Sequence, residues 1–228
     1  MSPQLPLALR FAPDQQLAAF LGRPDVSATV GAVARGERAD WLYLAGPAGS
    51  GKTHLLLAAC AAARQADRAA AYLALPQFAG RLAGMLEGQP ADALTCLDGV
   101  EALAGNRDDE VALFHFHNAA RQAGGALVYA GTAMPAALGL VLPDLESRLE
   151  QCTRLALAAP DEGLRRAILR ERAARRGLEL DDAVLDYLFR RVGRDLGGLT
   201  GLLDALDRAS LASQRRLTVP FVRGVLGA

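Results

Sequence analysis

Residues 46–53 read GPAGSGKT, and this octapeptide lies between an apolar run, WLYLAG (41–46), and an Ala/Leu-rich segment (52–65). It matches the pattern G-x-x-x-x-G-K-[ST] at every position, in the strand–turn–helix context that a phosphate-binding loop requires. Glycines let such a backbone turn tightly, so that its N–H groups and the N-terminus of the next helix surround phosphate oxygens. The predicted nucleotide-phosphate contacts are Gly46, Pro47, Ala48, Gly49, Ser50, Gly51, Lys52 and Thr53.

Lys52 is the only lysine in the chain, and the other basic residues among its 25 Lys and Arg are all arginines. A compact ammonium group fits against a tight loop better than the broad, planar guanidinium group does. Lys52 is therefore predicted to place a point charge on the β- and γ-phosphates, and the Thr53 hydroxyl is predicted to ligate Mg²⁺. The alternative is a Gly-rich turn that binds no ligand.

A second strand-like run, ALTCLD (93–98), ends in an acidic residue, Asp98. A carboxylate at the end of a neighbouring strand can hold the magnesium shell, so Asp98 is predicted as a metal ligand and catalytic residue. Gly99 stands where many ATPases of this layout carry a second carboxylate that orients the attacking water, and Glu101 is expected to face elsewhere. The sequence therefore predicts nucleotide binding with only weak intrinsic ATP hydrolysis.

Short apolar runs bounded by Gly, Pro or Asp alternate with helical patterns through the first two thirds of the chain. The runs are 41–46, 69–75, 93–98, 126–132 and 152–157. Nearly continuous apolar strands that alternate with helices predict a parallel sheet covered on both faces. An α/β nucleotide-binding domain is therefore expected over residues 13–159, after an extended segment over 1–12.

Beyond Pro160 the strand pattern stops and helical patterns follow. The predicted helices are 161–176, 182–192, 195–213 and a short one near 219–226. Leu185, Leu188, Phe189 and Val192 fall at i, i+3, i+4 and i+7, which places an apolar stripe on one face of a helix. A small all-α domain is expected over residues 160–228.

The 228-residue chain has 51% hydrophobic residues, a formal net charge of zero and a pI of about 6.8. This balance argues against avid, sequence-blind binding to nucleic acid or anionic lipid. No signal-peptide pattern opens the chain, and no run reaches the roughly 18 apolar residues of a membrane span. A cytoplasmic protein without membrane association is expected. Cys60, Cys96 and Cys152 are expected to be buried free thiols.

Arg148 lies in LPDLESRLEQC (142–152), a short helical segment between the fourth and fifth strand-like runs. An arginine supplied by another chain can neutralise the charge that develops on a γ-phosphate. The alternative is an ordinary helix arginine paired with Asp144 or Glu150. The sequence by itself leaves both interpretations open.

Together these motifs make the chain resemble the initiator-type AAA+ ATPases of the DnaA/Hda family, through to LDRASLASQRRLTVPFVRGVL (206–226). GSGKTHLL (49–56) resembles the phosphate loop of DnaA, and LPDLESRL (142–149) resembles the arginine-finger segment of Hda-type proteins. The resemblance implies a P-loop AAA+ core with a helical lid, and ADP or ATP with Mg²⁺ as ligands. It also implies a regulator that stimulates hydrolysis of DnaA-bound ATP and so limits DNA replication initiation.

The same resemblance gives roles to particular residues. Arg148 matches the finger that acts in trans on ATP held by DnaA, and His54 joins the cofactor-binding residues of the loop. Thr132, in AGTAMP, stands at the sensor-1 position, where the family usually has an acidic residue. Arg194, in GRDLGGL, matches the sensor-2 arginine of the lid.

The amino-terminal stretch QLPLAL (4–9) resembles the peptide by which Hda-type proteins dock on the DNA polymerase sliding clamp. Gln4 begins it, Leu5, Leu7 and Leu9 alternate in an extended segment, and Pro6 lowers the entropy lost on docking. The alternative is a terminal segment that lies on its own domain. The resemblance thus implies DnaA and the sliding clamp as partners, while a homodimer is left open.

Two further expectations concern DNA and competing functions. The chain has no room after residue 228 for the helix-turn-helix domain of DnaA, so direct sequence-specific DNA binding is not expected. The alternative function is a self-hydrolysing helicase loader or remodelling ATPase. A small-molecule P-loop kinase is a third class, and it would need an arginine-rich substrate lid where the chain has a helical bundle.

Overall fold

The computed structural model describes residues 16–191, 201–203, 205–209 and 217–225, and its strands form one parallel five-stranded sheet. The strands are β1 (Leu42–Ala45), β2 (Ala70–Ala74), β3 (Leu94–Asp98), β4 (Ala126–Gly131) and β5 (Thr153–Ala156). Their order across the sheet is β2-β3-β4-β1-β5. Each predicted apolar run contains one of these strands, so the predicted sheet is confirmed.

Helices pack around this sheet and then continue into a lid. The helices of the core are α1 (Pro24–Ala34), α2 (Lys52–Gln65), α3 (Leu82–Leu86), α4 (Arg107–Ala123) and α5 (Pro143–Glu150). The lid contains α6 (Glu162–Arg175), α7 (Asp182–Arg191) and α8 (Val219–Val225), with residues 201–203 and 205–209 also helical. A single 3₁₀ turn at Leu17–Ala19 precedes α1.

The two faces of the sheet bury different side chains because successive residues of a strand point to opposite sides. Tyr43 and Tyr129 pack on one face, against α4 and α5. Leu44 and Val128 pack on the other face, against α1 and α2. Both faces are therefore covered, as the nearly continuous apolar strands predict. The three cysteines are free and buried, which confirms that expectation too.

The lid has a separate apolar core, to which Leu169, Leu185, Leu188, Leu203 and Val222 contribute. Two of these, Leu185 and Leu188, belong to the apolar stripe seen in the sequence. Within the described residues this stripe packs into the lid core, and the all-α lid is confirmed. Within the described part of the chain, no helix combines the length and the apolar character needed to cross a bilayer.

A buried carboxylate at the start of α4 fixes the loop that leads into α5. Glu110 is 0% exposed and accepts backbone hydrogen bonds from Gly105 at 2.9 Å, from Leu142 at 2.7 Å and from Val141 at 2.9 Å. Charged acceptors bind amide donors more strongly than neutral ones do. Glu110 therefore sets where α5 begins, and with it the position of Arg148 near the end of that helix.

Candidate functional site

The loop between β1 and α2 reverses the chain at the carboxyl end of the sheet. Gly51 has a φ of 92°, a left-handed conformation that favours glycine. A Cβ atom added there would lie 2.7 Å from Cε2 of Phe20, so packing excludes a side chain as well. At Gly49 an added Cβ atom would meet nothing within 4 Å, which leaves this part of the loop open to a ligand.

Helix α2 starts immediately after this loop, so its first backbone N–H groups line it. Among the described residues, no side chain caps this N-terminus, and the first turn of α2 carries no acidic residue. The Ser50 hydroxyl oxygen is buried and has no hydrogen-bond partner within the described residues. An unpaired buried hydroxyl is unfavourable by about 1–3 kcal/mol. The loop therefore fits an anionic ligand, such as a phosphate group, that accepts hydrogen bonds.

The Lys52 side chain folds back over the same loop. Its Nζ donates hydrogen bonds to the carbonyl oxygens of Gly46 at 2.5 Å and Pro47 at 2.9 Å, and the residue is only 9% exposed. Burial lowers the pKa of the Lys52 ammonium, while the negative charges of Glu101 and Asp98 act in the opposite direction. A compact cation is thus held within the loop, beside the α2 N-terminus.

Thr53 and Asp98, the two predicted Mg²⁺ ligands, lie in contact. The Thr53 hydroxyl donates to Oδ2 of Asp98 at 2.6 Å, and the Tyr72 hydroxyl donates to the same oxygen at 2.9 Å. Burial, followed by the Asp98 charge, raises the pKa of Tyr72, so its hydroxyl stays protonated as a donor. Hydroxyl and carboxylate oxygens are ligands that suit Mg²⁺. The donor set therefore fits this ion.

Tyr72 was not identified from the sequence, where it is one aromatic residue within the apolar run of β2. Its contact with Asp98 depends on the pairing of β2 with β3, in which Tyr72 lies opposite Cys96. That pairing brings the phenol close enough to reach the carboxylate at the end of β3. A hydroxyl-bearing side chain in an otherwise apolar strand was the only sign of it.

Glu101 contacts this region, so the expectation that it faces elsewhere is wrong. Gly99 has a φ of 84° and begins the 3₁₀ turn Val100–Leu103, which redirects the chain after β3. Oε2 of Glu101 accepts a hydrogen bond from the backbone N–H of Thr132 at 3.1 Å. The turn therefore directs the Glu101 carboxylate back across the sheet, where its charge acts on Lys52.

Position 99 itself cannot carry the carboxylate that many ATPases have there. A Cβ atom added to Gly99 would lie 2.9 Å from Cδ of Pro76, and the backbone conformation already disfavours a side chain. A carboxylate close to this region is that of Glu101, which contacts the backbone of Thr132. The glycine, which suggested a missing group, is the residue that makes the turn toward Glu101.

Thr132, the predicted sensor-1 residue, follows β4 next to the phosphate loop. The preceding residue, Gly131, accepts a backbone hydrogen bond from Gly46 at 3.1 Å, and Thr132 itself is exposed. Its backbone contact with Glu101 thus connects the ends of β3 and β4. Arg194 and the predicted clamp-binding residues Gln4, Leu5, Leu7 and Leu9 lie outside the described residues.

A cleft of about 260 Å³ adjoins the phosphate loop and extends to the lid. Gly49 and His54 line it from the loop side, residues 20–23 line it from the amino-terminal side, and Leu164 lines it from α6. The His54 ring lies 5.8 Å from the Phe20 ring, and its Nε2 is 3.1 Å from the carbonyl oxygen of Gln16. The amino-terminal part of this cleft was not identified from the sequence.

Arg148 lies at the other end of the sheet from Lys52 and Asp98. It lines a cavity together with Trp41, which precedes β1, and Ala126, which begins β4. Within the described residues, Arg148 pairs with neither Asp144 nor Glu150. Its side-chain hydrogen bond is a long one, 3.5 Å from Nη1 to Oε1 of Gln151. The structure therefore does not bring Arg148 to the phosphate loop of its own chain.

Comparison with known proteins gives one family match and several similar solved structures. Residues 161–226 match the family described as Hda, lid domain. The structure is similar to domain III of the Thermotoga maritima replication initiation protein DnaA, with a TM-score of 0.75 and 23% identity over 95% of this chain and 97% of that chain.

Two other solved structures are also similar. AMPPCP-bound DnaA from Aquifex aeolicus matches with a TM-score of 0.68 and 23% identity, over 87% of this chain and 66% of that chain. The RuvB Holliday junction branch migration motor of Thermotoga maritima matches with a TM-score of 0.65 and 20% identity, over 93% of this chain and 71% of that chain.

The parallel sheet, the loop before α2 and the helical lid together form a P-loop AAA+ fold. More particularly, the fold is similar to that of DnaA domain III, and the lid residues 161–226 match the Hda lid family.

Proposed function

We propose that this protein is an adenine-nucleotide-binding AAA+ regulator that stimulates hydrolysis of DnaA-bound ATP, together with the DNA-loaded sliding clamp. It would thereby act as a negative regulator of DNA replication initiation. The match of residues 161–226 to the Hda lid family supports this choice among AAA+ functions. The observation that carries it is the position of Arg148, away from the phosphate loop of its own chain.

In this proposal the chain's own nucleotide is structural and regulatory. Lys52, Ser50 and the first N–H groups of α2 hold its phosphates, and Thr53 and Asp98 hold Mg²⁺. Bound Mg²⁺ neutralises phosphate charge. A similar structure, DnaA from Aquifex aeolicus, is described as AMPPCP-bound, which supports an adenine nucleotide here. Its base would occupy the cleft beside His54.

The proposed domains follow from this division of roles. Residues 13–159 form the nucleotide-binding domain and residues 160–228 form the lid. Thr132 and Arg194 are proposed as sensor-1 and sensor-2 residues, which report the state of the nucleotide to the rest of the chain. A bound nucleotide that favours one arrangement of lid and core would shift the population toward the form that docks on DnaA.

Arg148 is proposed to act in trans on the ATP held by DnaA. The charge of a guanidinium group without a carboxylate partner is not offset within the chain, so the group can bind an external anion. Its planar fork of N–H donors matches phosphate oxygens. In favourable cases such an arginine accelerates phosphoryl transfer by about 10³–10⁵-fold. The amino-terminal segment 1–12 is proposed to dock on the clamp through Gln4, Leu5, Leu7 and Leu9.

The test is hydrolysis of ATP prebound to DnaA, measured with clamp loaded on DNA. The wild-type chain is expected to accelerate hydrolysis, whereas Arg148→Ala and Arg148→Lys are expected to lose the acceleration by about 10³-fold. Arg107→Ala is the matched control, because Arg107 is an exposed arginine elsewhere on the core. Equal stimulation by the wild type and Arg148→Ala would refute the proposal.

The clamp contact has a separate test. Retention on immobilised sliding clamp is compared for the intact chain and the double variant Gln4→Ala/Leu7→Ala. The proposal predicts that the double variant is lost from the resin while its ability to bind nucleotide is unchanged. Equal retention of both proteins would remove the clamp as a partner of this segment.

A second candidate function is a self-hydrolysing helicase loader or remodelling ATPase. The specific observation in its favour is the Glu101 carboxylate, which lies where it acts on Lys52 although position 99 is glycine. Steady-state ATP turnover without any partner distinguishes the two functions. Robust turnover that falls about 100-fold or more in Glu101→Gln, the lower range for losing a general base, would favour the motor. Weak turnover that is insensitive to Glu101→Gln would favour the regulator.

A further inference from the structure

The cavity at the amino end of the sheet concentrates positive charge. Its volume is about 410 Å³, and four arginines line it together with Trp41; we call it the basic cavity. These arginines are Arg38, Arg68, Arg121 and Arg148. Among the described residues that line the basic cavity, none is an aspartate or a glutamate. No carboxylate among these lining residues therefore offsets the positive charge of the four arginines.

The four guanidinium groups differ in how they are held. Nη1 of Arg68 donates to the carbonyl oxygens of Val33 at 3.0 Å and Ala34 at 2.7 Å, so this group is fixed by α1. Arg38 forms an ion pair with Asp40, with Nε 2.7 Å from Oδ2. These two side chains line the basic cavity, and the Asp40 carboxylate offsets the charge of Arg38.

Arg121 and Arg148 are different, because neither forms an ion pair with an acidic residue in the described part of the chain. Arg121 lies in the last turn of α4, and Arg148 lies in the last turn of α5. Two separate helices thus direct guanidinium groups without carboxylate partners into one partly enclosed space. Like charges so placed repel each other, and an anion between them would relieve that repulsion.

His117 lines the basic cavity together with these two arginines. This residue is 2% exposed, its Nδ1 lies 2.9 Å from the Tyr129 hydroxyl, and its ring packs edge-on against Trp41 at 4.5 Å between centroids. Burial, then the charges of Arg148 and Arg121, lowers the pKa of His117 to about 4. His117 and both arginines line the same cavity, so the charges of Arg121 and Arg148 act on this imidazole.

We propose that the basic cavity binds a phosphate-bearing anion, and that Arg121 and Arg148 hold this anion together. Arginine suits the role because its fork of N–H donors matches phosphate oxygens and its bonds to them are charge-assisted. Arg121 would then be a second phosphate-binding arginine, in the last turn of α4. The identity of this phosphate rests on the proposed function, in which the phosphate group belongs to ATP held by a partner chain.

A free polyphosphate offers the same phosphate groups as ATP held by a partner chain. Two measurements distinguish these two ligands. The first uses the intrinsic fluorescence of Trp41, which is the only tryptophan of the chain and lines the basic cavity. Sodium tripolyphosphate is titrated at constant ionic strength into the full chain, with its phosphate loop saturated by Mg²⁺ and ADP. A saturable change in fluorescence is expected.

The affinity for tripolyphosphate should fall at least about tenfold in Arg121→Gln, as expected when one charge-assisted contact is removed. The control is Arg107→Gln, at the opposite end of the same helix, which should bind like the wild type. Both residues are exposed, so both variants should fold, and their circular dichroism spectra are compared to verify this.

The second measurement is stimulation of DnaA-bound ATP hydrolysis by the same variants. A loss of about tenfold or more in Arg121→Gln, with Arg107→Gln unchanged, assigns the phosphate to the partner's ATP. Tripolyphosphate binding that depends on Arg121, with no effect on stimulation, supports the basic cavity as a site for a free anion. The inference is overturned if Arg121→Gln changes neither tripolyphosphate binding nor stimulation. Loss of stimulation in Arg148→Ala would then still support the proposed function.

Discussion

Acidification is expected to destabilise this fold through one buried histidine, His117. Its imidazole is packed between Trp41 and Tyr129 in the wall of the basic cavity. Burial is the main cause that lowers its pKa from 6.5 to about 4, and the positive charges of Arg148 and Arg121 add to it. The folded protein therefore holds this side chain neutral at a pH where the unfolded chain has already bound a proton.

The size and the sign of the effect follow from this difference. A fall of the pKa from 6.5 to about 4 corresponds to about 3 kcal/mol in the free energy of unfolding. Because the unfolded state takes up the proton first, the contribution is fully present above pH 6.5. It is lost as the pH falls toward 4, with a steepest slope of about 1.4 kcal/mol per pH unit.

The assay is urea-induced unfolding at intervals between pH 7.5 and pH 4, for the wild type, His117→Gln and His115→Gln. His115 is exposed on the same helix and serves as the matched control. Carboxylates titrate alike in all three proteins, so the difference between curves isolates His117. The wild type and His115→Gln should lose about 3 kcal/mol more than His117→Gln does. Three parallel curves would show that the reasoning about His117 is wrong.

Two further predictions concern residues that shape the core. Glu110→Ala is expected to lower the free energy of unfolding by about 3 kcal/mol or more, because it removes the acceptor of three backbone N–H groups; exposed Glu87→Ala should lower it by less than about 0.5 kcal/mol. Gly99→Ala should destabilise by more than Gly105→Ala, since both glycines have a φ of 84° but only an alanine at 99 would meet Pro76. Urea unfolding measures both, and equal losses within either pair would contradict the stated cause.

Local sequence patterns predicted most of the fold. The phosphate-loop motif predicted the end of β1 and the first residue of α2, and the apolar runs predicted every strand, because both signals lie within a few consecutive residues. The lid helices followed from the spacing of leucines such as Leu185 and Leu188. Helix α3 was not predicted, since its five residues are too few to show a period.

The candidate site was predictable only in part, because some of its contacts depend on distant segments. Thr53 and Asp98 belong to separate motifs, and the structure brings their oxygens together. The contact of Glu101 with Thr132 depends on the backbone turn at Gly99, which no side-chain pattern reveals. The cavity around Arg148 draws on segments more than 100 residues apart in the chain, such as those at Arg38 and Gln151, so local patterns contain no sign of it.

The most direct test of the nucleotide site, on which the proposed function depends, is equilibrium binding of a fluorescent ATP or ADP analogue with Mg²⁺. The wild-type chain should bind saturably, and both Lys52→Ala and Lys52→Arg should weaken binding at least about tenfold, since a guanidinium group does not fit against the loop as an ammonium group does. Retention of wild-type affinity by Lys52→Ala, or the absence of any binding by the wild type, would contradict a nucleotide site at the phosphate loop.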